Sequence, residues 1–126
     1  MHITTQGLVL RETSYKEADK ILTVLTREGG KRTVKARGCR RKNSPLAASA
    51  QLLVWSDMTL FEYRDYFTLN EAEALELFWG VRQDVEKLAL CSYFAEVTEL
   101  VAEEGRPDAG LLPLILNSMY ALDKLK

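Results

Sequence analysis

The chain has 126 residues, 47% of them hydrophobic and 28% charged, with a formal net charge of −1. That is apolar material enough for one domain, or a small domain with an appendage, and no Ser-, Gly- or Gln-rich tract argues for disorder. No apolar run approaches the ~18 residues that a bilayer crossing needs, and Met1-His2-Ile3-Thr4 lacks the basic start of a secretory leader, so a cytoplasmic setting is expected.

Up to about residue 78 the pattern is that of strands. Residues 3–11 and 20–26 are rich in β-branched and apolar side chains. Gly29-Gly30 supplies a tight turn, because glycine accepts positive φ without steric cost, and residues 31–39 follow as a third strand, so that the two runs form a hairpin. Asn43-Ser44-Pro45 reads as a loop, residues 51–63 as a long fourth strand, Arg64-Asp65 as a turn and residues 66–72 as a fifth strand. Five short antiparallel strands point to a small closed barrel, which leaves no exposed edges. The OB-fold is the commonest such barrel that also binds oligonucleotides; an SH3-like barrel competes, and periodicity does not separate them.

From residue 79 the period becomes helical. Val81, Val85, Leu88, Ser92 and Ala95 form one apolar stripe, and Leu90, Phe94, Val97 and Val101 a second, so the helix is expected to be buried on two faces. Gly105-Arg106-Pro107 reads as its stop, and Asp108 as the N-cap of a second helix through about Leu122. That helix is apolar nearly all round, which implies a fragment of something larger or self-association through exposed apolar helices. The expected fold class is therefore mixed: a five-stranded OB-type barrel over 1–78, then two or so α-helices of an incomplete helical domain over 79–126. His2 reads as a flexible terminal residue.

The near-zero net charge hides a strong asymmetry. Residues 1–50 carry eleven Lys and Arg against four Asp and Glu, or +7, and the remainder six against fourteen, or −8. Screening limits a charge's reach to about 8–10 Å, so the local field decides what is attracted. Between Arg27 and Lys42 only Glu28 interrupts the positive run. Strand alternation puts Val34 and Ala36 on one face, and Lys31, Thr33, Lys35, Arg37 and Cys39 on the other, with Lys35 and Arg37 about 6.6 Å apart. Successive phosphates of a single strand have a similar spacing. Arg40-Arg41-Lys42 extends the positive surface, and Arg32 belongs to the same run. The candidate nucleic-acid contacts are Lys31, Arg32, Lys35, Arg37, Arg40, Arg41 and Lys42. Tyr63 and Tyr66, at the predicted turn between strands four and five, are the candidates for base stacking, and Tyr15 in its charged loop could stack too.

Catalysis finds little support. There is no Gly-rich phosphate loop, His2 is the sole histidine, and Cys39 and Cys91 stand too far apart to suggest a zinc set. Glu71, Glu73 and Glu76, like Glu103 and Glu104, read as solvated faces. A non-enzymatic protein without metal or cofactor is expected.

Several blocks of the chain, in order, resemble one family. They are Gly7-Leu8-Val9-Leu10-Arg11, the run from Glu17 through Ala18-Asp19-Lys20 to Thr26, the run from Gly30 to Gly38 with Arg40-Arg41-Lys42 and Ser44-Pro45-Leu46, and Leu88-Ala89-Leu90 with Ser92-Tyr93-Phe94-Ala95-Glu96. Together they are similar to RecO, the bacterial DNA repair and recombination mediators. The resemblance implies an amino-terminal OB-fold followed by a helical domain. It also implies binding of single- and double-stranded DNA, strand annealing, and partnership with RecR and single-stranded-DNA-binding protein in loading RecA at the nucleoid. Lys35, Arg37, Arg40, Arg41 and Lys42 carry over as DNA contacts. The further helices of the family, and the four-cysteine zinc element of many members, have no counterpart here, so zinc is not expected. A protein-interaction adaptor with the barrel as scaffold, and an RNA-binding OB module, are the alternative readings.

Overall fold

A computed structural model describes residues 1–125. Its elements are β1 (His2–Tyr15), β2 (Asp19–Thr26), β3 (Gly30–Ala36), β4 (Trp55–Tyr63), β5 (Tyr66–Glu76), α1 (Trp79–Arg82), α2 (Val85–Val101) and α3 (Leu111–Lys124). The strands close into a barrel in the order β1-β2-β3-β5-β4. β1 is long because it pairs on both sides, with β4 from His2↔Phe61 to Leu8↔Trp55 and with β2 from Gly7↔Thr26 to Tyr15↔Asp19. A register shift between Val9 and Arg11 bends it from one neighbour to the other. β3 and β5 meet in parallel through only Val34↔Phe67 and Lys35↔Thr68. A five-stranded barrel closed in this way is the OB arrangement.

The alternation of β-branched and apolar residues fills the interior with Val9, Leu22, Val24, Val34, Met58, Leu60, Phe67 and Leu69. Four strand boundaries differ from expectation by three residues or more: β1 runs on to Tyr15, past residue 11, and β5 to Glu76, past residue 72, while β3 and β4 are shorter than expected. β3 stops at Ala36 rather than continuing to Cys39, because Gly38 turns the chain at φ 67°. Cys39 therefore points inward, 3% exposed, and not onto the basic face. Burial pushes its thiol pKa up, as it does that of Cys91. β4 starts at Trp55, not at residue 51. Residues 37–54 form successive turns instead, and Leu46 and Ala50 join Cys39 as a plug in the barrel core. His2 is not loose: its ring meets Phe61 edge-on at 5.1 Å and its Nε2 lies 2.8 Å from Asn70 Nδ2.

A second core lies between the barrel and the helices, where Leu8, Leu10, Leu25 and Trp55 meet Phe78, Val81, Cys91, Ala95, Leu112, Ile115 and Met119. The helical segment after residue 78 is broken in two. Asp84 accepts hydrogen bonds from the Glu86 and Lys87 N–H groups at 3.0 and 3.2 Å, an N-cap that starts α2 afresh. α2 ends at Val101, before Gly105, since Ala102 is already extended. Asp108 is not the cap of α3 either: Gly110 holds that position, and Asp108 accepts from the Gly110 N–H at 2.9 Å. Of the two apolar stripes expected on this segment, the second stays largely outside. Leu90, Val97 and Val101 are 42%, 39% and 60% exposed, and the last two line an open groove between α2 and α3. Among the described residues no helix is long and apolar enough to cross a membrane.

Candidate nucleic-acid interface

β3 is the axis of the site. Val34 and Ala36 are fully buried, so Lys31, Thr33 and Lys35 fall on the outer side, as the alternation requires. The two ends of this row have different neighbours. At the Lys31 end the carboxy-terminal part of α2 and the link to α3 lie over the strand. Lys31 Nζ donates to the Glu99 carbonyl at 2.9 Å, and the Lys31 carbonyl accepts from the Gly105 N–H at 2.8 Å. The Thr33 N–H donates to Glu104 Oε1 at 3.1 Å, and Arg11 pairs with Glu99 at 3.0 Å. Arg32 belongs to the inward set. Its guanidinium lies 4.9 Å from the Phe67 ring centre, in a small hollow at the barrel end with Thr26 and Leu60. Lys31 and Arg32 are therefore separated from the rest of the basic run.

At the other end, Lys35 stands among tyrosines. Its Nζ is 5.3 Å from the Tyr15 ring centre and 4.9 Å from that of Tyr66. Lys16 Nζ lies 5.3 Å from the same Tyr15 ring, and the Tyr63 and Tyr66 centroids are 5.5 Å apart. Tyr15 ends β1, while Tyr63 and Tyr66 flank the β4–β5 turn, where Arg64 takes a positive φ of 47°. The cluster thus forms where the β1–β2 and β4–β5 turns approach β3, the region that OB-folds use for oligonucleotides.

Arg37, Arg40, Arg41 and Lys42 are exposed on the turns after β3. This loop is anchored to the β1–β2 turn. The Gly38 N–H donates to Asp19 Oδ1 at 2.8 Å and the Arg40 N–H to the Ala18 carbonyl at 2.9 Å, while the Arg40 guanidinium reaches the Lys16 carbonyl at 3.4 Å. Lys16, Asp19, Arg40 and Arg41 line one open hollow. Among the described residues the ion pairs are Arg11–Glu99, Lys20–Glu12 and Arg106–Glu103, so Lys16, Lys35, Arg37, Arg40, Arg41 and Lys42 have no carboxylate partner. Positive charge left unneutralised beside exposed rings suits a polyanion that carries flat bases. No group of three or more His, Cys, Asp or Glu side chains converges among the described residues.

The structure thus brings Lys35 to Tyr66 and Tyr63, and Arg40 and Arg41 to the β1–β2 turn, and it sets Lys31 and Arg32 apart. Lys16 is not among the contacts expected from the sequence, and neither is the meeting of Tyr15 with Lys35. The signal available was a Tyr-Lys pair beside a turn, twenty residues from its partner.

Barrel topology and the placement of cations and rings define an OB-fold protein with a helical appendage. The family described as "Recombination protein O N terminal" matches residues 1–78. "DNA repair protein RecO" of Acetivibrio thermocellus is 37% identical over 123 residues, covering 98% of this chain and 49% of that protein. The protein of the same name from Alkaliphilus metalliredigens is 37% identical over 124 residues, covering 98% and 50%. That of Listeria monocytogenes is 36% identical over 119 residues, covering 94% and 47%. The chain belongs to the RecO family of DNA repair and recombination proteins. It spans about half the length of the curated relatives it matches.

Proposed function

We propose that this chain is a DNA-binding module of recombinational repair, which holds single and double strands by their phosphates and promotes annealing without making or breaking a covalent bond. The observation that carries this reading is a set of unpaired cations on an OB barrel, with Lys35 beside the tyrosine cluster and Arg37, Arg40, Arg41 and Lys42 on the turns that follow β3. Two DNA strands repel each other through their phosphates. Cations that neutralise phosphates on both lower that repulsion and let complementary bases meet. In this reading residues 1–78 are the binding unit and residues 79–126 the start of a helical domain. Action in the cytoplasm, at the nucleoid, with RecR, single-stranded-DNA-binding protein and RecA loading as its context, is supported by the family alone.

The test is fluorescence anisotropy with labelled strands over a salt series. Contact with about 4–6 phosphates gives a slope of log K against log salt of about −3 to −4 for a single strand. Replacing Arg37, Arg40 and Arg41 together with Ala is expected to weaken single strand and duplex on every sequence alike, and to flatten that slope by about 2. A slope near zero in the unaltered protein counts against phosphate binding. Matched RNA strands as competitors separate DNA from RNA binding. An adaptor role has its own support in the apolar groove between α2 and α3, lined by Tyr93, Val97, Val101, Leu111 and Leu114, and light scattering reports self-association there.

A further inference from the structure

Cations hold phosphate in any strand, whereas rings act only on bases that are free to leave a stack. Tyr15 and Tyr63 are 39% and 49% exposed, and neither they nor Tyr66 belongs to a hydrophobic core of the protein. Packing therefore does not account for three tyrosines gathered on one rim. Tyr15 has an ammonium group near its ring from each of two lysines, Lys16 and Lys35, and Lys35 is shared with Tyr66. The Lys35 ammonium thus occupies the space beside both rings. These contacts are weak at an exposed site, so a flat base can displace the ammonium, which is then free to meet the phosphate of the same nucleotide.

We infer that Tyr15 and Tyr66, with the Lys35 ammonium as a displaceable occupant between them, form a base-stacking subsite that makes this face prefer unpaired strands to duplex. The inference rests on the nucleic-acid reading above and adds Tyr15 as a specificity-determining residue. Duplex DNA keeps its base faces stacked inside and offers a ring only groove edges and backbone, so the subsite contributes to single strands alone.

The experiment uses three labelled probes at one salt concentration: a single strand of about 16 nucleotides, the upper end of an OB-fold's site size, an abasic strand of that length, and the blunt duplex. Y15A and Y66A are each expected to weaken the base-bearing single strand about tenfold, as loss of one stacked base implies. Binding of the abasic strand and the duplex is expected to stay within about twofold. Y15F, which keeps a ring, is expected to retain single-strand affinity, and circular dichroism of each variant checks that it is folded. Equal weakening of all three probes by Y15A, or no weakening of any, overturns the subsite. In either of those two outcomes, weakening of every probe by the Arg37, Arg40 and Arg41 variant leaves the phosphate reading standing, and only the stacking inference falls. If neither set of substitutions changes binding, both fall.

Discussion

Substitution of Gly30 probes the seam that joins the barrel to its helices. Gly30 has φ 72°, and a methyl group there would lie 2.3 Å from the Arg106 carbonyl oxygen and 2.5 Å from its carbon. The left-handed backbone alone costs an L-residue about 1–2 kcal/mol. To clear the overlap, the link between α2 and α3 must retreat from β3. That breaks the bond from the Gly105 N–H to the Lys31 carbonyl (2.8 Å) and the one from the Thr33 N–H to Glu104 (3.1 Å), at roughly 1 kcal/mol each. G30A is thus expected to lose about 3–4 kcal/mol, a large part of the 5–15 kcal/mol typical of a domain. The adjacent glycine is the control. A methyl on Gly29 meets the Arg32 guanidinium at 2.9 Å, which belongs to a flexible side chain that can swing away, and Thr26 Oγ1 at 3.1 Å, a contact eased by a small shift and with no backbone in the way, so G29A is expected to cost under about 1 kcal/mol. Urea denaturation followed by tryptophan fluorescence reads both, with Trp55 5% exposed as the buried reporter. The midpoint is expected to fall by more than about 1 M for G30A and by less than about 0.5 M for G29A. Equal midpoints for the two variants would refute the close-approach argument.

Two further outcomes follow from the split of the basic run. K31A is expected to cost about 1 kcal/mol of stability, since Lys31 donates to the Glu99 carbonyl, and to leave DNA affinity unchanged under conditions where the Arg37, Arg40 and Arg41 variant reduces it; a loss of affinity matching the arginine variant would place Lys31 on the binding track after all. D19N keeps an oxygen acceptor for the Gly38 N–H while removing a negative charge beside Arg40 and Arg41. It is expected to tighten single-strand binding by about twofold to threefold at low salt, with the gain disappearing as salt rises, and anisotropy at two salt concentrations that gave the same gain would contradict the electrostatic account.

Much of the barrel is legible in the strand alternation. Val34 and Ala36 face inward as their spacing demands, and the glycine pair and Arg64-Asp65 turn the chain as expected. The alternation fails where it gives no information. It places Lys31 and Lys35 on one face but says nothing about what lies over that face, and the cover at Lys31 comes from Glu99 and Gly105, some seventy residues on. Residues 37–54 carry apolar side chains without a period of either kind, so the plug built from Leu46 and Ala50 has no repeating signature. The break before α2 was visible in principle, because Asp84 stands ahead of Glu86 and Lys87. The apolar spacing runs through it unbroken, however, and conceals the cap. Tyr15 and Lys35 meet only because the β1–β2 turn folds toward β3, which no local pattern records.

The barrel's perimeter is stitched least where β3 and β5 run side by side, over two residues from each strand. Lys35 belongs to one margin of that short suture, and Tyr66 stands next to Phe67 on the other. A nucleotide stacked on Tyr66 with its phosphate on Lys35 would fasten the two margins from outside. Occupancy and barrel closure would then be thermodynamically linked, and the amide protons of this stretch would exchange with solvent more slowly in the loaded protein than in the free one.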